Sequence, residues 1–151
     1  MILAFYQPDI PQNTGAIIRL AACMGAPLHI VEPCGFAFDP KQFRRVAMDY
    51  YDLATITRHA SWEKFLAWRN DAKARLILLT TKADTRYTDF AFAPGDILLL
   101  GRESSGVPEP VRDAADAQIK IPMHEAARSL NVAVAAGMVL GEAMRQTRVV
   151  A

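Results

Sequence analysis

The sequence predicts an α/β domain with a mostly parallel sheet and helices on both of its faces. Short apolar runs alternate with helical patterns from one end of the 151 residues to the other. The connections between the apolar runs are long enough to hold helices, as parallel strands require. A chain of this length buries roughly 68 to 70% of its unfolded surface, and it has no linker, repeat or low-complexity segment. We therefore predict a single domain over residues 1–151.

The apolar run at 1–6 predicts a buried first strand, which ends before the two prolines of the segment 7–11. A helix is predicted at 13–25. Asn13 is its predicted N-cap, because an asparagine side-chain oxygen accepts from the free amides of a first turn. Gly15 leaves room for a close neighbour. Further strands are predicted at 27–32, 53–57, 75–81, 96–101 and 117–122, and further helices at 40–49, 61–70, 108–115 and 129–146.

The helix predicted at 61–70 has a start signal and an aromatic core face. Ser61 is a suitable N-cap, and Glu63 places a carboxylate at the positive end of the helix dipole. The large apolar residues have core spacing, which favours packing over a base-stacking surface. These residues are Trp62, Phe65, Leu66 and Trp68.

The helix predicted at 129–146, with Ser129 as an ordinary N-cap, is apolar almost all round. It carries a stripe of small residues at Ala133, Gly137 and Gly141, which allows close helix contacts. A helix of this kind must be buried, and a chain this short has few elements to cover it. We therefore expect one of its faces to meet another subunit.

Composition limits the classes of function. The net charge is +1, so any basic surface for nucleic acid must be local. Cys23 and Cys34 are too few for a disulfide framework and have no metal-ligand spacing with the three scattered histidines. We predict reduced thiols in or near the core, and no metal. The sequence shows no secretory signal and no membrane-spanning run, which predicts a cytosolic protein without a membrane partner.

Polar residues are concentrated in three segments that follow predicted strands. These are 13–19, 101–108 and 121–131, and the strand end 79–82 is expected to join the last two at one edge of the sheet. Ligands of parallel α/β sheets bind at that edge. The usual nicotinamide, P-loop and hydrolase motifs are absent from the sequence. Taken alone, each segment also has an ordinary structural explanation: an N-cap with a paired or snorkelling arginine, a capped turn into the next helix, or a simple N-cap.

Together, the three segments resemble the signature motifs of the SPOUT RNA methyltransferases in order and spacing. Further segments at 6–15, 28–36 and 44–50 resemble the small subgroup that methylates the ribose 2′-hydroxyl of the tRNA wobble nucleotide, position 34. The resemblance covers the whole chain. The matching motifs are Asn13-x-Gly15-x-x-x-Arg19, Gly101-Arg102-Glu103-Ser104-Ser105-Gly106, and Ile121-Pro122 with Ser129-Leu130-Asn131.

The resemblance implies a tRNA 2′-O-ribose methyltransferase with a trefoil knot in its C-terminal part. General topology rules argue against knots outside a few folds, so periodicity alone does not predict one. The resemblance also implies a homodimer whose active site combines both subunits, and S-adenosylmethionine as the methyl donor, bound in the knot. The residues expected to contact this cofactor, largely through backbone groups, are Leu79, Gly101, Ile121, Ser129 and Asn131.

The resemblance also implies catalytic roles. The family gives the arginine that matches Arg19 a central role, sometimes as the base. A guanidinium stays protonated in proteins, so we expect Arg19 to hold a phosphate or stabilise the developing alkoxide instead. We expect Glu103 to orient Arg19 or the cofactor. Asn13 and Asn131 are expected to complete the contacts to the ribose or the cofactor.

One loop departs from the subgroup, whose members commonly have proline before the motif glutamate and Thr-Arg before the following glycine. Here Arg102 precedes the glutamate and Ser104-Ser105 precede the glycine. The loop keeps one positive charge in a different position, so RNA contacts are expected mainly elsewhere. A solvated charged face explains the same residues. The candidates are Lys41, Arg44 and Arg45, followed by Arg58, Arg145 and Arg148.

Two alternatives remain open. One is a methyltransferase of the same fold that acts on ribosomal RNA. The other is a non-catalytic α/β module that binds RNA or a nucleotide. Binding of S-adenosylmethionine separates the enzymes from the module, because a methyltransferase must bind it.

Overall fold

A six-stranded sheet forms the centre of the computed structural model, which describes residues 1–147. The strands are β1 (Ile2–Tyr6), β2 (Leu28–Val31), β3 (Ile56–His59), β4 (Leu76–Leu79), β5 (Ile97–Leu100) and β6 (Ala117–Ile119). Their order across the sheet is β3-β2-β1-β5-β4-β6, and every pairing is parallel. The helices are α1 (Pro11–Met24), α2 (Pro40–Val46), α3 (Trp62–Ala72), α4 (Glu109–Asp113) and α5 (Val132–Thr147), with a 3₁₀ helix at Met48–Leu53.

The core has two layers because successive side chains of a strand point to opposite faces of the sheet. On β1, Leu3 and Phe5 are fully buried against the layer that holds α1 and α5. Ala4 and Tyr6 face the opposite layer, to which α3 and α4 contribute. The α/β prediction with helices on both faces is therefore confirmed. Among the described residues no helix is long and apolar enough to cross a membrane.

Every predicted helix and strand is present, but two N-caps were assigned wrongly. The first helix begins at Pro11, and Ile10 is its N-cap without a side-chain bond. Proline suits this first turn because its missing N–H has no helical partner there. Asn13 lies inside the helix instead. The last helix begins at Val132, and its cap is Asn131 instead of Ser129: the Asn131 Oδ1 accepts from the amides of Ala133 and Val134 at 2.9 and 3.3 Å.

The region 40–59 also differs from its prediction. The α2 helix, capped by Asp39, ends at Val46 instead of 49, and the 3₁₀ helix follows. Met48 has a φ of 54°, which an α-helix cannot accommodate. The 3₁₀ helix includes Leu53, so the third strand starts at Ile56 instead of 53. The other elements keep their predicted centres and are mostly one to three residues shorter at an end.

The predicted cap and core face of α3 are confirmed at their main residues. The hydroxyl of Ser61 accepts from the amide of Lys64 at 3.2 Å. Phe65 is fully buried, and Trp62 and Trp68 pack against it while partly exposed.

The prediction that both cysteines lie in or near the core is correct only for the half-buried Cys34. Both thiols are free, but Cys23 is exposed on the surface of α1, because its position on the helix turns away from the sheet.

Two histidines that are 30 residues apart in the sequence form a buried pair between β2 and β3. The Nδ1 of His29 lies 2.8 Å from the Nε2 of His59, so one ring donates and the other accepts. Trp68 stacks on His29 with ring centroids 3.9 Å apart. Burial, and the neighbouring His59, lower the pKa of His29 to about 4. Protonation of both rings would leave two buried positive charges without a hydrogen bond between them.

We expect the protein to lose stability in mild acid because of this pair. An unfolded histidine titrates near pH 6.5, so the unfolded chain binds more protons as the pH falls from 6.5 towards 4. At about 1.4 kcal/mol per pKa unit, the shift of His29 predicts a loss of about 3 kcal/mol over this range. The free energy of unfolding, measured with urea at pH values between 6.5 and 4, tests this prediction. The exposed His124 provides the control, since His124→Gln should keep the full dependence, and a flat wild-type profile contradicts the prediction.

Candidate functional site

A pocket of about 490 Å³ opens at the carboxyl edge of the sheet. It lies where the chain leaves β4, β5 and β6 and enters α5. Parallel sheets bind ligands at this edge because the loops after neighbouring strands meet there. The predicted site residues that line it are Asn13, Leu79, Gly101, Glu103, Ile121, Ser129 and Asn131.

A hydrogen bond joins the first and third signature segments at the pocket. The Nδ2 of Asn131 donates to the Oδ1 of Asn13 at 2.9 Å, although the residues are 118 positions apart. The other side-chain oxygen of Asn131 caps α5. One amide therefore both starts the last helix and positions Asn13 beside the pocket.

The second segment forms a closed turn whose first residue must be glycine. Arg102 and Gly106 exchange backbone hydrogen bonds of 2.9 and 2.8 Å. A Cβ atom at Gly101 would lie 2.9 Å from the backbone of Gly106, closer than real contacts allow. Glycine at this position therefore lets the turn close tightly at the wall of the pocket, where a ligand can approach the main chain.

Asp9, which the sequence analysis did not select, ties the second segment to the loop before α1. Its amide donates to the Oε2 of Glu103 at 3.0 Å, and its carboxylate accepts from the hydroxyl of Ser104. A guanidinium nitrogen of Arg102 lies 3.7 Å from the same carboxylate. In the sequence, only the position of Asp9 between Pro8 and Pro11 makes it conspicuous. That position does not indicate which distant residues it contacts.

The two carboxyl groups of this cluster differ in acidity. A hydrogen bond from Glu103 lowers the pKa of Asp9. Burial raises the pKa of Glu103, and the hydrogen bond with Asp9 raises it further. Apart from the contact between the two side chains, one oxygen of each carboxyl is buried and has no hydrogen-bond partner among the described residues. Asp9 is therefore the more acidic member of the pair, and the less acidic Glu103 is the one that lines the pocket.

Arg19 does not line the pocket of its own chain. Its side chain is exposed on α1, where the guanidinium lies over the ring of Tyr50, 4.7 Å from the centroid, and its Nη1 is 3.8 Å from the sulfur of Met48. The structure thus brings together the other two predicted catalytic residues, Asn13 and Glu103, and leaves Arg19 on the outer surface of the same helix as Asn13.

The predicted RNA-binding residues also lie away from the pocket. Lys41, Arg44 and Arg45 are exposed on α2, and Arg44 pairs with Asp52 at 3.2 Å. Arg58 pairs with Glu32 and covers Phe38. Arg145 pairs with Glu142, and Arg148 lies outside the described residues. Three cations that the sequence analysis did not select line the pocket instead: Lys82, Arg112 and Arg128.

The fold and the site define a class of RNA-modifying enzyme. Residues 1–141 match the SpoU rRNA Methylase family, and the chain belongs to that family. This result confirms the resemblance on which the sequence analysis relied. Among residues 1–147, no three His, Cys, Asp or Glu side chains are placed to hold a metal ion together.

The names of individual relatives specify both the RNA and the nucleotide on which those proteins act. A protein of Beijerinckia indica named tRNA (cytidine(34)-2′-O)-methyltransferase is 57% identical over 145 residues, which are 96% of this chain and 91% of the relative. A protein of Escherichia coli K12 with the same name is 42% identical over 95% of this chain and 92% of its own.

Solved structures support the same family membership. One described as "Structural insights into the 2-OH methylation of C/U34 on tRNA" has a TM-score of 0.88 and 39% identity, and the match covers 95% of this chain and 93% of that one. The SpoU methyltransferase AviRb of Streptomyces viridochromogenes, in complex with AdoMet, has a TM-score of 0.88 and 30% identity. That match covers 97% of this chain and 60% of the AviRb chain.

Proposed function

We propose that this protein is an enzyme that transfers a methyl group from S-adenosylmethionine to the ribose 2′-hydroxyl of nucleotide 34 of tRNA. One observation carries the proposal: the three signature segments meet around one pocket, where Asn131 bonds to Asn13 beside Gly101. The names of the relatives from Beijerinckia indica and Escherichia coli support the choice of tRNA and of nucleotide 34.

The pocket fits the proposed cofactor. Its volume of about 490 Å³ lies within the usual range for small-molecule sites, and the tight turn that needs glycine at Gly101 forms part of its wall. S-adenosylmethionine supplies an activated methyl group on a sulfonium when bound. We assign its binding to five lining residues, chiefly through their backbone groups: Leu79, Gly101, Ile121, Ser129 and Asn131.

We also assign the C-terminal part of this single domain a trefoil knot. The segments that line the pocket are those of the proposed knot, and nearly the whole chain aligns with the solved SpoU methyltransferase AviRb. We place the protein in the cytosol, where its proposed tRNA substrate is found.

The remaining chemistry falls to this chain's polar residues. A sugar hydroxyl is a weak nucleophile near neutral pH, so the site must orient its oxygen, stabilise the developing alkoxide and accept its proton. The guanidinium of Arg19 serves the second task as a permanent cation. Glu103 and Asn13 line the pocket and orient the reacting groups, and the proton passes to a group other than Arg19 or to water.

Arg19 can serve this pocket only from a second subunit, because it is absent from the lining of its own. The surface around α1 and α5 suits such a homodimer. Val134 is 53% and Met138 39% exposed on α5, the helix for which the sequence predicted a subunit contact. Of its small residues, Gly137 already packs on Leu20 of α1, whereas Gly141 has open space above it. The other exposed large apolar residues are Ile10, Val46, Met48, Leu53 and Leu130.

We expect Val134→Glu to break the homodimer and abolish methyl transfer. A carboxylate at the centre of an apolar contact would be buried without a partner. Sedimentation velocity should show a monomer in place of a dimer. Ala67→Glu, which adds the same charge to an exposed position of α3, is the control. A fully active, dimeric Val134→Glu protein contradicts the proposed interface.

Transfer of labelled methyl from S-adenosylmethionine tests the function itself. The substrates are tRNAs that differ only at nucleotide 34, including one with a 2′-deoxyribose there, and a ribosomal RNA fragment. Label should enter tRNA and depend on the 2′-hydroxyl of nucleotide 34. Label that enters only the ribosomal RNA favours a methyltransferase that acts on ribosomal RNA. If calorimetry detects no binding of S-adenosylmethionine, the non-catalytic module is favoured.

A further inference from the structure

The charges that line the pocket do not match the charge of the proposed cofactor. The lining contains one carboxylate residue, Glu103, and four cationic residues: Lys82, Arg102, Arg112 and Arg128. S-adenosylmethionine carries a sulfonium, an ammonium and one carboxylate, and is therefore a net cation near neutral pH. A cationic ligand gains nothing from an excess of positive charge at its site, so these residues require another explanation.

Two of the four cations are already engaged within the chain. Arg102 lies 3.7 Å from the carboxylate of Asp9. Arg112 lies 3.6 and 3.5 Å from the carboxylates of Glu109 and Asp113. These neighbouring carboxylates offset the charge of both guanidinium groups.

The other two cations, Lys82 and Arg128, have no such partner. Neither forms an ion pair or lies over an aromatic ring within residues 1–147. Both side chains are exposed, so they stand at the mouth of the pocket and not in its depth. The backbone at Lys82 is held by a hydrogen bond from its amide to the hydroxyl of Thr80, 3.3 Å long. Lys82 follows β4, and Arg128 lies before α5.

We propose that Lys82 and Arg128 form a phosphate clamp at the mouth of the pocket, which binds the RNA backbone beside the nucleotide to be methylated. The inference rests on the proposed function. RNA brings a phosphate on each side of every internal nucleotide, so a ribose that enters the pocket carries anions to its rim. Two cations on opposite connections attract these anions and orient the backbone, without reading any base.

The test measures tRNA affinity against salt concentration for Lys82→Ala, Arg128→Ala and the double variant. Each lost phosphate contact should reduce the slope of log K against log salt by about one. The double variant should bind a methylatable tRNA transcript about tenfold more weakly at low salt. Arg128→Lys should keep the wild-type slope, because a phosphate accepts either cation. Binding of S-adenosylmethionine, measured by calorimetry, should be unchanged in all of them.

Lys73→Asn is the matched control. Lys73 is an exposed cation at the end of α3, on the opposite edge of the sheet, and asparagine tolerates its left-handed backbone. This variant should keep the wild-type slope. The proposed clamp is refuted if the double variant keeps the wild-type tRNA affinity and salt slope. It is also refuted if the variants lose S-adenosylmethionine binding while tRNA binding stays intact. A wild-type protein that methylates no tRNA refutes the proposed function instead, so the two failures are distinguishable.

Discussion

Arg19→Ala is expected to reduce methyl transfer by about 100- to 1,000-fold, the usual cost of removing one donor that stabilises a developing oxyanion. Arg19 is exposed and does not line its own pocket, so its loss should leave S-adenosylmethionine binding and folding intact. Single-turnover transfer of labelled methyl measures the rate, and calorimetry measures cofactor binding. The combination of a slow reaction with normal cofactor affinity distinguishes a catalytic role from a structural one.

Two further variants refine this result. Arg19→Lys keeps the charge but loses the planar fork of donors, so full activity in this variant would count against bidentate recognition. Tyr50→Phe is the control, because it keeps an aromatic ring beneath the guanidinium. An Arg19→Ala protein that reacts at the wild-type rate would remove Arg19 from the mechanism altogether.

Gly101→Ala is expected to weaken S-adenosylmethionine binding by more than about tenfold and to destabilise the fold by about 1 to 3 kcal/mol. The added Cβ would lie 2.9 Å from two backbone atoms of Gly106, so the loop that the two residues close must move. The backbone of Gly101 then leaves the pocket wall. Calorimetry and thermal unfolding measure the two effects.

Gly137→Ala provides the matched control for this substitution. A Cβ at Gly137 meets Leu20 at 3.9 Å, an ordinary van der Waals distance, and alanine favours the helix. Cofactor binding should therefore persist and stability should hold or rise. If Gly101→Ala binds S-adenosylmethionine as well as Gly137→Ala does, the pocket does not recognise the cofactor through this loop.

The positions of the strands and helices could be read from the sequence because they depend on local periodicity. The buried run at 96–101, for example, needs no knowledge of its neighbours to be identified as a strand. Helix ends were less predictable, as Asn13 and Asn131 show. Both residues have capping side chains, but only Asn131 caps a helix, because α1 already begins at Pro11, two residues before Asn13.

Parts of the site were predictable for a different reason. Glycine and polar residues after apolar strands mark the carboxyl edge of a parallel sheet, which placed Gly101 and Glu103 at the pocket. The ion pairing of the basic residues was not predictable. Arg44 and Arg58 have acidic partners, whereas Lys82 and Arg128 have none within residues 1–147.

The sequence by itself determined the class of fold, the order of the elements and the family, because these follow from periodicity and from motifs along the chain. Only the tertiary structure decided which distant groups meet: Asp9 with Glu103, His29 with His59, and Asn13 with Asn131. It also left Arg19 outside its own pocket. Such contacts depend on strand order and loop closure across the sheet, and local sequence carries no record of either.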